Sequence, residues 1–346
     1  MVDKEKIRDA VINMFKVNMG LRDGEKVLVL TDVPRAEDWA KKSAEELMDM
    51  VKRGFLARAV SEIAREAFRA CQVEFYAYPA TGRHGAEPPA GVREKMKGAD
   101  IVIAITTYSL THTKAREEAT RAGARIASMP TFQEEMFYPG GAMAADYLEV
   151  KEASEKIAEL LTRASHARVV TEAGTDIEFS LEGREGMADT GILTERGAWG
   201  NLPAGEAFIA PVEGTANGKL VVEAGWHPEL TEDLTLVFEG GLVVRVEGGG
   251  KIGDEFRELL KPGVDAEPFR SRRNLAELGI GTNPLAKRPD NVLEAEKIKG
   301  TAHIAIGDSS HIGGRVSSDL HEDFVLPQPD LYLDGRLVIR KGRWLF

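Results

Sequence analysis

Residues 26–31 read KVLVLT, a short apolar run that begins just after the turn signal Asp23-Gly24. A strand covered on both faces has no solvent side to alternate with. An unbroken β-branched and leucine-rich run of this length therefore predicts an interior parallel strand. Further runs of the same kind occupy residues 73–76, 101–106 (IVIAIT) and 124–127. Helical stretches surround them. Ile7, Ala10, Val11 and Met14 recur at helical spacing and stop at Gly20. A long stretch spans about 36–70, with a break expected near Gly54, and shorter ones cover 91–97 and 114–122. Strands alternating with helices imply an open parallel sheet with helices on both faces.

Such a sheet invites a search for a nucleotide cradle. No early strand is followed by GxGxxG, and GxxxxGK[ST] does not occur. The turn 31–35, TDVPR, has no glycine to let a pyrophosphate approach. This half is expected to be a scaffold that binds neither NAD nor ATP.

A helix over about 143–165 is expected to close the first domain. From His166 onward the pattern changes to short alternating runs between glycine-rich turns: ARVVTEAGTDIEFSLEG, AFIAPVEGTANGKLVVEAG, LTLVFEGGLVVRVEGGG. These are strand and hairpin signals. Helices are expected at about 254–260 and 286–297. The predicted architecture is thus α/β: an N-terminal open parallel sheet domain over residues 1–165, then a β-rich, largely antiparallel metal-binding domain over 166–346. Two domains also suit a chain of 346 residues.

Bulk properties narrow the function classes. A net charge of −11 argues against nucleic acid as the main partner. Arg270, Arg272 and Arg273 form the one tight basic cluster, read as a solvated loop. No apolar stretch is long enough for a membrane span. The opening MVDKEKIRDA has no apolar signal core, and the single cysteine, Cys71, cannot form an internal disulfide. Both point to a reducing cytoplasm.

The candidate chemistry lies in the second half. Glu206 follows Pro203-Ala204-Gly205 and opens an otherwise apolar run. Glu277 precedes Gly279-Ile280-Gly281, where two glycines suggest a constrained backbone beside a packed site. His303 heads the run Ile304-Ala305-Ile306. His321 and Asp323 form His-x-Asp, whose side chains share one face of a strand. Each has a plainer reading: an edge glutamate, a glutamate ahead of a turn, a hydrogen-bonded core histidine, a common dipeptide spacing. Together, three carboxylates and two imidazoles at the heads of apolar strands suit one or two divalent ions, because buried carboxylates need a partner. Ser309, Ser310 and His311 suggest a nucleophile and base but lack a GxSxG elbow. His84 and His112 read as surface residues, and His227 as a loop cap.

The stretches NLPAGEAFIAPVEGTANGKLVV, AELGIGTNP, LEAEKIKGTAHIAIG and DLHEDF come in the order found in the metallo-aminopeptidase family of aminopeptidases T and S, which the segment 200–326 resembles. The resemblance implies metal ligands at Glu206, Glu277, His303, His321 and Asp323. It further implies zinc, cobalt or manganese, a small peptide substrate and a homodimer. Glu277 and Glu206 are then the expected catalytic carboxylates, with Glu294 or Glu296 as further candidates for the base. One position departs: the family's tyrosine ligand falls at Ser310, with His311 beside it. A sister group, similar to 2,5-dihydroxypyridine 5,6-dioxygenase, shares His-x-Asp, holds a single iron(II), has histidine at the position of Glu277 and has non-ligands at the positions of Glu206 and His303. The expected function is therefore a metal-dependent aminopeptidase. An iron(II) ring-cleaving dioxygenase and a non-catalytic metal-binding homologue are the alternatives.

Overall fold

All four early apolar runs become strands of one parallel sheet. Its order is Gln72–Pro79, Lys26–Val33, Ile101–Thr106, Arg125–Pro130 and a short fifth strand, Trp199–Asn201. Every residue of Ile101–Thr106 is buried, as a doubly covered strand requires. The computed structural model describes residues 2–346. It divides into one unit of Met1–Tyr147 with Gly191–Ala204 and another of Leu148–Thr190 with Gly205–Phe346. Among the described residues no helix is long and apolar enough to cross a membrane.

Three sequence expectations need correction. The break expected near Gly54 falls instead at Lys42–Ser43, and Ala44–Ala67 is continuous. Ser43 Oγ accepts from the Glu46 amide at 3.2 Å while the Glu46 carboxylate accepts from the Ser43 amide at 2.8 Å. This reciprocal cap starts a helix more firmly than one glycine can stop it. The boundary expected between residues 165 and 166 is displaced as well. The helix Tyr147–Arg163 buries Ile157, Ala158 and Leu161 in the core of the second unit, and 191–204 returns to the first to supply its fifth strand. Side-chain burial, not chain order, decides where a connecting helix belongs. Finally, the helix expected over 286–297 shrinks to Val292–Ala295. Pro289-Asp290 opens it late, and the segment is tied down by the Asn283 amide on the Lys297 carbonyl and the Lys299 amide on the Asn283 carbonyl, at 2.9 and 3.1 Å.

The second unit holds two antiparallel sheets. The eight-stranded one runs Leu242–Gly248, Leu234–Glu239, Asn217–Val222, Asp176–Ser180, His166–Val170, Asp330–Leu333, Arg336–Arg340, Arg343–Trp344. The five-stranded one runs His321–Pro327, Thr301–Gly307, Leu275–Gly281, Glu206–Ile209, Met187–Asp189. Strand periodicity divides the smaller sheet cleanly. One face presents Ala207, Ile209, Leu278, Ile280, Ala302, Ile304, Phe324 and Leu326 to a common core. The opposite face carries Glu206, Glu277, His303, His321 and Asp323, with Gly279, Gly281, Ala305 and Gly307 between them. A bulge between Leu275 and Glu277 resets the alternation. It lets Leu275 join the core while Glu277, two residues on, faces the opposite way.

Candidate metal centre

Register places the functional side chains. Glu206 opens its strand opposite Gly281, with Asp189 on its other flank. His303 lies opposite Gly279. A Cβ at Gly279 would stand 1.9 Å from His303 Nε2, so only glycine lets the ring lie across the neighbouring strand. On the edge strand, His321 and Asp323 pair with Gly307 and Ala305 of the neighbouring strand.

All five sequence-predicted residues converge. His303 Nε2 is 3.4 Å from Glu206 Oε2 and 3.2 Å from Glu277 Oε1. The other oxygen, Glu277 Oε2, is 3.3 Å from His321 Nε2, which lies 3.6 Å from Asp323 Oδ2. His321 Nδ1 meets the Asp308 carbonyl at 2.7 Å, a bond that requires the proton on Nδ1 and turns Nε2 to the carboxylates. Ligating atoms fall into two triplets that share Glu277, each within 4.8 Å: Glu277, His303, Asp323 and Glu277, His311, His321.

The electrostatics are those of charges held out of water. Burial works against ionisation of Glu277, but hydrogen bonds from His303 and His321 outweigh it and hold its carboxyl well below the usual range. Burial pushes Glu206 up to about 7 against the pull of Lys297 and His303. Asp323 rises well above its ordinary value through burial and the nearby Glu296. Burial also disfavours the imidazolium forms, yet Glu277 and Glu206 raise His303 to about 9, and Asp323 and Glu277 raise His321 to about 10.

Lys297 and Asp308 lay outside the sequence reading. Lys297, 3% exposed, reaches Glu206 Oε1 at 2.6 Å and Glu296 Oε2 at 2.9 Å. Asp308 takes Ser310 Oγ at 2.9 Å and His311 Nδ1 at 2.6 Å, and the His311 and His321 rings meet edge to face at 4.9 Å. The sequence marked His311 as a possible base and by its place beside Ser310. Nothing local marked Lys297, which meets its partner across 91 residues.

Other candidates take structural roles. Glu294 accepts the Lys287 amide at 2.8 Å within its own loop. Arg272 pairs with Asp319 at 2.6 Å, Arg270 with Asp265, and Arg273 donates to the Val243 and Val264 carbonyls. His227 meets Glu322 at 2.9 Å, His84 accepts from the Ser109 amide, and His112 packs edge to face on Trp199.

A divalent cation fits this donor set. Glu206 Oε2 and His303 Nδ1 are buried with no hydrogen-bond partner among the described residues. Imidazole and carboxylate donors crowd one glycine-floored face, and a cation relieves that concentration of charge better than desolvated ion pairs do.

A two-unit α/β chain with an imidazole–carboxylate cluster on one face of an antiparallel sheet defines a class of metal-dependent enzyme. The sequence model of the family described as 2,5-dihydroxypyridine 5,6-dioxygenase (NicX) matches residues 9–345, and the chain belongs to that family. It is 26% identical over 264 residues to a Pseudomonas putida protein named 2,5-dihydroxypyridine 5,6-dioxygenase, covering 71% of each chain. The solved structure of the 2,5-dihydroxypyridine dioxygenase from Pseudomonas putida superposes with a TM-score of 0.73 at 20% identity, over 100% of this chain and 98% of that one. Wild-type AmpT from Thermus thermophilus superposes with a TM-score of 0.65 at 18% identity, over 99% and 100%. Both likenesses show a shared fold.

The aminopeptidase expectation is overturned by the family match across nearly the whole chain. The site agrees in two details. Ser310, at the position expected for a tyrosine ligand, spends its hydroxyl on Asp308, and Glu206 is engaged by a lysine.

Proposed function

We propose that the chain is a divalent-metal-dependent dioxygenase that opens a dihydroxylated, nitrogen-containing aromatic ring. The observation that carries this reading is the set of two imidazoles and adjoining carboxylates on one sheet face, His303, His321, Glu277 and Asp323, in a member of the dihydroxypyridine dioxygenase family. The resemblance to that group implied histidine where this chain has Glu277. His303, on the next strand and 3.2 Å from Glu277, restores the second imidazole. Two imidazoles and a carboxylate are the donors that oxygen-activating iron(II) sites use.

Glu277 with His303 and Asp323 would hold the ion, while His321 and His311 form the other triplet around the same Glu277. When bound, iron(II) supplies the Lewis acidity and one-electron chemistry that dioxygen insertion into a ring needs. The protein's part is positioning and proton handling. The Asp308 carbonyl fixes the His321 tautomer. Gly279 makes room for the His303 ring, which lies across it. The Asp308–His311 pair stands on the more exposed side of His321, placed to exchange the proton of a ring hydroxyl with solvent.

Oxygen uptake by anaerobically iron(II)-loaded protein tests the proposal. With 2,5-dihydroxypyridine we expect dioxygen consumption matched to loss of the ring's ultraviolet absorbance. An iron-loaded protein that consumes no dioxygen with any dihydroxylated ring would sink it.

A further inference from the structure

The first unit buries an arginine that the fold leaves without an ion pair. Arg53 lies within the helix Ala44–Ala67 and is 8% exposed. Its Nε donates to Thr107 Oγ1 at 3.3 Å, and among the described residues no carboxylate reaches its guanidinium. Asp32 spends its oxygens on the Thr107 and Tyr108 amides, at 2.6 and 3.0 Å, and Asp49 faces Lys52 at 3.6 Å. Burial pulls Arg53 below its ordinary pKa, with Asp32 and Asp49 opposing only through space. Buried arginines are ordinarily paired, because a guanidinium carries several donors and a charge. The location adds to the case. The strand order reverses between Lys26–Val33 and Ile101–Thr106, and Thr107 follows the carboxyl end of the second. Open parallel sheets bind ligands at such a switch point.

Arg53 lines a cavity of about 230 Å³. Leu56 and Phe132 are its buried apolar walls, and Phe55 stands exposed beside them. Phe132 and Gln133 follow Thr131, whose φ of 56° is strained for a β-branched residue. Strain of this kind gathers at ligand sites. An apolar cavity of about 150 Å³ takes benzene, and drug-sized ligands need about 300 Å³ or more. The space therefore suits one ring or a short chain with a single polar head. Lys52 and Arg53 share the lining with Asp49, Glu134 and Glu135, two cations against three carboxylates. Glu134 is held by the Asp3 amide and the Tyr138 hydroxyl, at 3.0 Å each. That balance opposes a dianionic phosphate. A monocarboxylate meets the guanidinium bidentately and leaves its apolar body to the phenylalanine wall.

We propose that this cavity is a second binding site, for a small monocarboxylate with an apolar body, paired to Arg53 and packed on Leu56 and Phe132. The site lies wholly within the first unit. It depends neither on the metal centre nor on the proposed function.

Benzoate is the probe, with benzamide as its neutral counterpart. Calorimetric titration of the whole protein, stripped of metal so that no ion can take the carboxylate, should show saturable benzoate binding that metal loading leaves unchanged. Benzamide should bind about tenfold more weakly or worse, and inorganic phosphate should not compete, since a charge-assisted pair is worth at least that factor. Arg53→Met keeps the apolar stem and loses the charge, and should weaken benzoate by about tenfold or more. A second readout needs no variant: in the native chain, benzoate should slow amide hydrogen exchange over residues 49–56 and 131–135. Absent benzoate binding, equal affinity for benzamide, dependence on bound metal or unchanged affinity in a folded Arg53→Met each overturns the site. Should Arg53→Met fail to fold, hydrogen exchange decides, and protection confined to the second unit ends the proposal.

Discussion

Glu277 holds the centre together, because its two oxygens face different imidazoles, His303 at 3.2 Å and His321 at 3.3 Å. His321 and Asp323 lie at the half-exposed edge, with side chains 25% and 15% exposed. Replacing either by alanine should lower metal affinity by about 100-fold or more while the circular dichroism spectrum stays native, since few core contacts are lost. Unchanged affinity in both variants would remove the edge strand from the site. The imidazoles also dictate a pH dependence. In the metal-free chain neighbouring carboxylates raise His303 to about 9 and His321 to about 10, above the ordinary 6.5. A raised pKa means that the stabilisation is complete below 6.5 and is lost as pH climbs through 9 to 10. Metal must displace those protons, so its affinity should rise with pH across the same window. Calorimetry near pH 7 in buffers of different ionisation enthalpy should show about one or two protons released per ion. Binding with no proton release would mean that the ion uses neither imidazole.

At the scale of elements, the centre depends on two local irregularities in regular strands. The bulge between Leu275 and Glu277 sends one side chain to the core and the other to the site. The glycine at 279 makes room for the His303 ring, since a Cβ would lie 1.9 Å from Nε2. Gly279→Ala should therefore displace the imidazole. We expect metal affinity to fall by about tenfold or more, with about 1–3 kcal/mol of overpacking cost to stability. A variant that binds metal with native affinity would show that His303 is not a ligand. The paired glycines around Ile280 were legible in the sequence as a constrained backbone next to a packed site. The bulge was not legible, because an extra residue in one strand can be recognised only against its partner.

The whole molecule confines the chemistry to one unit. Glu206, Glu277, Lys297, His303, His321 and Asp323 all belong to the unit of Leu148–Thr190 and Gly205–Phe346. Metal that binds only the folded site stabilises it by mass action, about 2.7 kcal/mol at a hundredfold excess over Kd. Differential scanning calorimetry of stripped and reloaded protein should resolve a transition that metal raises by several degrees and a second, from the unit with the parallel sheet, that metal leaves in place. A shift of both transitions together would show that the units unfold as one.

By itself the sequence determined the composition of this protein's parts. An unbroken KVLVLT or IVIAIT reads as a covered strand, and the glycine-punctuated alternation after His166 reads as antiparallel. Charged residues at the heads of apolar runs pointed to Glu206, Glu277, His303, His321 and Asp323, because such positions leave a charge without water. Periodicity reports which face a side chain takes, and the pairing of strands far apart in the chain decides what it meets there. The tertiary structure alone therefore placed the helix Tyr147–Arg163 with the second unit, set His303 over Gly279, drew Asp308 and His311 to His321, and laid Lys297 against Glu206 from 91 residues away. Local residue patterns carry the chemistry of the donors. The register of five strands and one pinned loop carries their geometry, because cross-strand packing is a property of partners and not of either strand.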